Sequence, residues 1–175
     1  MLGCRPAGRN TEQHDIFFGI AETVKDLIPQ LLAFWPEAKG NLHIDAWREV
    51  NQVGDYTIRV VPKGKTTGED KLFFLNLGGY KPGEFDEFHY KMLLVAPSQG
   101  EAVKQARQSS FYKHTGFKGA ESHIDDRFGV DVDEVFQVKD ILPEATKQQY
   151  SLGITAGGAG VEDELHLGYF QLHKL

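Results

Sequence analysis

The feature that most constrains this chain is an internal repeat, because two copies of one sequence unit must adopt one fold twice. Shifting the 175-residue sequence by 75 positions places Leu2-Gly3 on Leu77-Gly78. After a longer loop in the second copy the shift becomes 80, and His43-Ile44-Asp45 falls on His123-Ile124-Asp125. The repeat therefore predicts two tandem pseudo-symmetric units.

Each unit is predicted to run strand, strand, helix, strand, strand, which places the chain in the α+β class. The second copy shows the pattern best: the apolar stretches 71–77 and 88–96 are expected to be strands, followed by a helix from residue 98. Its last two strands are predicted at 122–130 and 134–141. We expect a β-grasp-like roll for each unit, with a ferredoxin-like split arrangement as the alternative.

Both predicted helices carry start signals. Ser98 and Glu101 form a capping box, and Thr23 and Asp26 form a weaker version in the first copy. Pro29 lies inside the first apolar pattern, which predicts a kink or a late start of that helix.

The repeat divides the chain into a first unit at 1–62, a second unit at 71–142 and a C-terminal segment at 143–175. The second unit opens with a strand for which the first has no counterpart, since Met1 aligns with Asn76. A missing strand would leave backbone groups unpaired. We therefore expect the apolar stretch Glu164–Leu172 to complete an open sheet edge.

The identical polar residues of the two copies are the main candidates for a site. In each copy a Glu-x-His and a His-x-Asp pair have the spacing that puts both side chains on one face of a strand. These residues are Glu12, His14, His43 and Asp45 in the first copy and Glu87, His89, His123 and Asp125 in the second.

Three interpretations of these residues remain open. Imidazole and carboxylate groups together suit a divalent metal such as zinc, iron, nickel or manganese, and a bound water could then support hydrolysis. A histidine held by a carboxylate could instead act as a general base. The third interpretation is purely structural, because a partly buried imidazole needs hydrogen-bond partners and a neighbouring carboxylate provides one.

Other polar features are weaker candidates. Arg5 and Arg9 lie in one predicted loop and could bind an anion, although a solvated polar loop is the favoured explanation. The acidic run Asp131–Glu134 is expected to be a solvated turn, since it lacks the glycine and the final glutamate of a calcium loop. Trp47 is expected to be a half-buried sheet residue.

Composition narrows the function classes. The net charge of −6 and the absence of a basic run argue against a nucleic-acid partner. No stretch approaches the roughly 18 apolar residues of a membrane span, and a single cysteine fits a reducing cytoplasm. We expect a non-enzymatic cytoplasmic binding or interaction module, with a homo-oligomer left open. The alternative is a divalent-metal-binding, hydrolytic protein that uses the repeated Glu/His/His/Asp set.

The doubled pattern Leu-Gly, Glu-x-His, His-Ile-Asp resembles a small bacterial family classed as a domain of unknown function. The resemblance runs through Leu2-Gly3, 12–15 and 43–47, and through the second-copy equivalents. It implies an apolar strand before the first Leu-Gly, and it implies an architecture without an activity.

Overall fold

The computed structural model describes residues 1–65, 68–80, 83–108, 130–158, 160–161 and 163–175, with the side chains of 80, 130 and 131 excepted. The strands in these ranges are β1 Leu2–Cys4, β2 Gln13–Asp15, β3 Leu42–Trp47, β4 Gln52–Val53, β5 Tyr56–Pro62, β6 Lys71–Tyr80, β7 Glu87–Ala96, β8 Val130–Gln137, β9 Tyr150–Ala156 and β10 His166–Gln171. The α-helices in these ranges are α1 Ile28–Phe34, α2 Gln99–Ala106, α3 Val138–Ile141 and α4 Glu144–Gln149. None of the described helices is long and apolar enough to cross a membrane.

The strands form three small sheets in which every described pairing is antiparallel. The first sheet has the order β10-β3-β1-β2, the second β4-β5-β9 and the third β7-β6-β8. Together with the packed helices, these sheets confirm the predicted α+β class.

The first and third sheets place their strands in the same way. In each, the earliest strand lies in the middle, the second strand lies on one side, and the strand after the helix lies on the other. Gly3 of β1 pairs with His14 and His43, and Gly78 of β6 pairs with His89 and Asp131. The middle glycine is therefore flanked by ligand-type residues in both sheets.

The register of the second copy differs from the sequence alignment. His43 and Asp131 occupy matching positions opposite the glycines, so a shift of 88 relates β3 to β8, where the alignment used 80. His123 and Asp125 lie outside the described residues. The alignment followed the identical letters His-Ile-Asp, whereas strand pairing follows the alternation of apolar residues along β8.

The prediction of a strand at 134–141 is confirmed for 134–137 and wrong for 138–141. Residues 134–137 continue β8, and Val138–Ile141 forms α3. Val138 is buried, and Ile141, one helical turn later, packs against the same core cluster. This burial favours a helix, because residues three apart lie on one helical face. The strand β9, which the sequence did not predict, pairs with β5 over the whole length of β5.

The predicted role of the C-terminal segment is confirmed. The strand β10 pairs with β3 and adds an edge to the first sheet. Phe170 packs against the core cluster of that sheet, and Leu172 is buried within it. The tail therefore helps to hold β3 in place.

The helices begin where the capping signals predict. The Ser98 hydroxyl accepts a hydrogen bond from the Glu101 amide at 3.3 Å. Thr23 and Asp26 each accept a hydrogen bond from the other's backbone amide. The first α-helix begins at Ile28 with Pro29 in its first turn, which confirms the late start.

The core lies in three clusters that fix the orientation of the sheets. Leu2 and Cys4 pack with Leu31 of α1, so Gly3, which lies between them in β1, faces the opposite side of the first sheet. In the third sheet, Phe73, Leu75 and Leu77 pack with α2, whereas Leu72 and Phe74 pack with residues of the second sheet. The glycine face of β1 is thus turned away from α1, and that of β6 is turned away from α2.

Candidate metal centre

The polar residues of the first copy meet on the glycine face of the first sheet. We call Glu12, His14, His43 and Asp45 the first cluster. His14 and His43 pair with Gly3 from its two sides, and side chains that oppose one another in a sheet project to the same face. With neighbouring strands about 4.8 Å apart, both imidazoles can reach the space above the glycine.

The head groups of the first cluster are within a few ångströms of one another. His43 Nε2 lies 3.1 Å from Asp45 Oδ1 and 3.2 Å from Glu12 Oε1. His14 Nε2 lies 3.4 Å from Asp45 Oδ2 and 3.7 Å from Glu12 Oε2. Each carboxylate therefore lies between the two imidazoles.

The absence of a side chain at Gly3 makes this convergence possible. A Cβ atom at this position would lie 2.7 Å from Asp45 Oδ2 and 2.8 Å from His43 Cε1, and closer still to His43 Nε2. Such distances are below van der Waals contact, so any larger residue would displace the cluster. The Leu-Gly pair of the sequence repeat thus has a steric role: Leu2 fills the core and Gly3 leaves room for the ligands.

A β-bulge marks the position of Asp45. The amides of Asp45 and Ala46 both point at the carbonyl oxygen of Met1, at 2.9 and 3.5 Å. Two consecutive amides on one carbonyl are characteristic of a bulge, and bulges often re-aim a side chain beside a functional site.

Burial distinguishes His43 from its neighbours. It is only 5% exposed, while the side chains of Glu12 and His14 are each 43% exposed. Among the described residues, His43 Nε2 and Asp45 Oδ2 make no hydrogen bond despite their burial. An unsatisfied buried polar atom costs about 1–3 kcal/mol, and a cation between these atoms would satisfy both.

Aromatic rings lie beside the first cluster. The ring of Tyr169 on β10 lies 4.1 Å from that of His43, and Trp47 stacks on His166 at 3.9 Å. Trp47 is half-buried against the core, as the sequence predicts. Sequence reasoning missed the contribution of Tyr169, because the register of β10 on β3 is not visible in a linear pattern.

A related group lies in the third sheet. We call Glu87, His89 and Asp133 the second cluster. His89 Nε2 lies 3.4 Å from Asp133 Oδ2 and 4.0 Å from Glu87 Oε2, and one ligand atom from each of the three residues lies within 4.8 Å of the others. The structure therefore brings Glu87 and His89 together as expected, but the described residue that joins them is Asp133.

The prediction of a solvated turn at 131–134 is wrong, because these residues lie within β8. Asp133 follows Asp131 at two-residue spacing, with valines at 130 and 132. This alternation is itself a strand signal and could have identified Asp133. The sequence interpretation favoured a turn because three of the four residues at 131–134 are acidic.

The remaining sequence candidates belong to neither cluster. Arg5 and Arg9 are exposed in the β1–β2 loop, where Arg5 Nε donates to the Arg9 carbonyl at 3.3 Å. Anion binding by this loop stays a prediction. Cys4 is buried in the core, and burial raises the pKa of its thiol, with a further rise from the negative charge of Glu12.

Comparison with known proteins adds a family and a fold. Residues 9–60 match the family model Domain of Unknown Function (DUF1543). This match confirms the resemblance to a domain-of-unknown-function family over that segment. The DUF1543 segment contains all four residues of the first cluster.

The comparison with solved structures shows a similar fold. The crystal structure of a protein Il1583 from Idiomarina loihiensis is 19% identical, with a TM-score of 0.57, and the alignment covers 98% of this chain and 92% of that one. This likeness concerns the fold alone. No protein with a curated description gives a significant match.

Proposed function

We propose that this protein is a binding module for a divalent transition-metal ion, held by Glu12, His14, His43 and Asp45. The observation that carries the proposal is the buried His43 Nε2, which lies 3.1 and 3.2 Å from two carboxylate oxygens and hydrogen-bonds to neither. When a nitrogen and an oxygen bind the same metal ion, they lie at about this distance from each other and share no proton.

The nitrogen–oxygen distances of the first cluster are close to those around a small cation. An ion with bonds of about 2.0–2.1 Å in tetrahedral geometry separates its ligand atoms by roughly 3.3 Å, and the four distances run from 3.1 to 3.7 Å. They involve both oxygens of each carboxylate, so the side chains would have to rearrange to present one donor atom each to an ion.

A structural network explains the same residues less well. In such a network His43 would donate its Nε2 proton to one carboxylate with near-linear geometry. Two carboxylates next to two imidazoles also place net negative charge in a partly buried space, and a dication neutralises that charge.

The donor chemistry selects the class of metal. Two imidazole nitrogens and two carboxylate oxygens suit Zn²⁺, Mn²⁺, Fe²⁺, Co²⁺ or Ni²⁺, whereas calcium takes oxygen ligands only. We assign binding to this site and no reaction. We also place the protein in the cytoplasm, in keeping with its single buried thiol.

Isothermal titration of chelator-treated protein with Zn²⁺ tests the proposal. The expected result is a strong binding event that His14→Ala and His43→Ala each remove. His14 is half-exposed, so its loss leaves the fold intact even if His43→Ala fails to fold. His173→Ala is the matched control, because His173 is exposed in the C-terminal 3₁₀ turn and should leave binding unchanged.

Unchanged Zn²⁺ binding in a folded His14→Ala variant would overturn this assignment. Absence of any binding of Zn²⁺, Mn²⁺ or Ni²⁺ to the unmodified protein would overturn it as well.

A further inference from the structure

We infer that Glu87, His89 and Asp133 form a second metal site. This site prefers Zn²⁺ over Mn²⁺ less strongly than the first cluster does. This site lies in a different sheet and uses none of the first cluster's residues. The existence of this site therefore does not depend on the function proposed above, whereas the comparison of selectivity rests on it.

The same backbone arrangement builds both sites. His89 pairs with Gly78 as His14 pairs with Gly3, and each histidine follows a glutamate by two residues. A Cβ atom at Gly78 would lie 2.9 Å from Asp133 Cγ, so this glycine also makes room for a carboxylate. A residue as small as alanine would already displace Asp133.

A bulge places Asp133 in its strand, as one does for Asp45. Leu77 pairs with Val132 and Asn76 pairs with Glu134, which leaves Asp133 as the extra residue of β8. Both aspartates therefore lie at matching bulges beside a histidine. Bulges often re-aim a side chain beside a functional site, so this placement favours a ligand role for Asp133.

Among the residues that the structure describes, the two sites differ in their donors. The second cluster has one imidazole and two carboxylates, while the first cluster has two of each. The position that His43 occupies opposite Gly3 is taken by Asp131 opposite Gly78. Imidazole favours zinc over manganese more than carboxylate does, so fewer imidazoles reduce this preference.

The second cluster also has no deeply buried member. Its side chains are 28–40% exposed, whereas the first cluster combines the buried His43 with Glu12 and His14, whose side chains are each 43% exposed. A more exposed site lets an ion keep bound water, as Mn²⁺ and other hard cations prefer. We therefore expect weaker and more water-accessible binding in the third sheet.

Titration of the full chain with Mn²⁺, followed by electron paramagnetic resonance, tests this inference. The expected result is one Mn²⁺ that His14→Ala leaves in place and that His89→Ala and Asp133→Asn each remove or weaken. The loss should exceed the roughly 10–100-fold that removal of an outer-shell partner costs. Asp86→Asn is the matched control, because Asp86 is exposed just before β7 and lies outside the cluster.

Competition with Zn²⁺ then tests the selectivity. Zn²⁺ should occupy the first cluster at a lower concentration than it needs to displace Mn²⁺ from the second. Retention of all Mn²⁺ by a folded His89→Ala variant would overturn the second site, and equal Zn²⁺-to-Mn²⁺ preference at the two sites would overturn the selectivity. Neither result would overturn Zn²⁺ binding at the first cluster, which is tested separately by the loss of Zn²⁺ binding in the His14→Ala variant.

Discussion

At the scale of single residues, two glycines define where ligands can gather. Each lies in the middle strand of its sheet, between a histidine on one side and His43 or Asp131 on the other. A side chain at either position would meet a ligand head group at less than contact distance. The missing Cβ is therefore as much part of each site as the ligands are.

Gly3→Ala should abolish zinc binding at the first cluster and destabilise the protein by about 1–3 kcal/mol, the usual range for overpacking. The physical reason is the clash with His43 and Asp45. Calorimetric titration and urea unfolding measure the two effects. Gly100→Ala is the control: no atom lies near its Cβ position in α2, so it should be neutral or stabilising by up to about 1 kcal/mol. Equal effects of the two substitutions would contradict this role of Gly3.

The buried thiol of Cys4 predicts a pH dependence of stability. Burial and the charge of Glu12 raise its pKa in the folded protein, so the unfolded chain ionises first as the pH rises. Stability should be complete below the ordinary thiol pKa, about 8.5, and should fall above it. Urea unfolding of metal-free protein between about pH 7 and pH 10 should show a steeper decline than the Cys4→Ala variant does. Parallel declines would show that the thiol makes no contribution.

At the scale of elements, local signals predict the helices and most strands, while pairing defines the site. The capping pairs at Thr23 and Ser98 are formed as predicted, because a cap involves residues only three positions apart. The bounds and register of β8 were predicted wrongly, since the residues it pairs with lie more than fifty positions away in sequence. Its register depends on packing across the sheet, which no local pattern encodes.

The C-terminal element should stabilise the first sheet through its buried residue. Leu172 is 9% exposed within the core cluster of that sheet, whereas Leu167 of β10 is 69% exposed. Leu172→Ala should lower the free energy of unfolding by about 2–5 kcal/mol. Leu167→Ala, the control, should change it by less than about 0.5 kcal/mol. Chemical unfolding of both variants checks the difference, and similar values would mean that the tail contributes nothing through burial.

At the scale of the whole molecule, metal binding should couple to folding. A ligand that binds only the native state at 100 times its dissociation constant stabilises it by about 2.7 kcal/mol. For a chain of this size that gain corresponds to a rise in Tm of roughly 5–10 °C. Differential scanning calorimetry with and without Zn²⁺ should show this rise, and excess chelator should reverse it. An unchanged Tm at saturating Zn²⁺ would contradict the coupling.

The first cluster was largely predictable from sequence, and the second only in part. Glu12, His14, His43 and Asp45 each follow from two-residue spacing at a strand and from their recurrence in the alignment. Glu87 and His89 follow in the same way, but Asp133 does not, since the identical letters of His123 and Asp125 directed the alignment elsewhere. The burial of His43, on which the metal assignment depends, is also absent from the sequence.

The sequence alone determined the α+β class, the capping pairs that precede α1 and α2, the strand character of the tail and the two glycines beside their leucines. These properties depend on residues a few positions apart, so local chemistry is sufficient for them. Only the tertiary structure decided the joining of β5 to β9, the choice of Asp133 and the shielding of His43 by Tyr169. Those features depend on which strands lie side by side, and that is a property of packing over long distances along the chain.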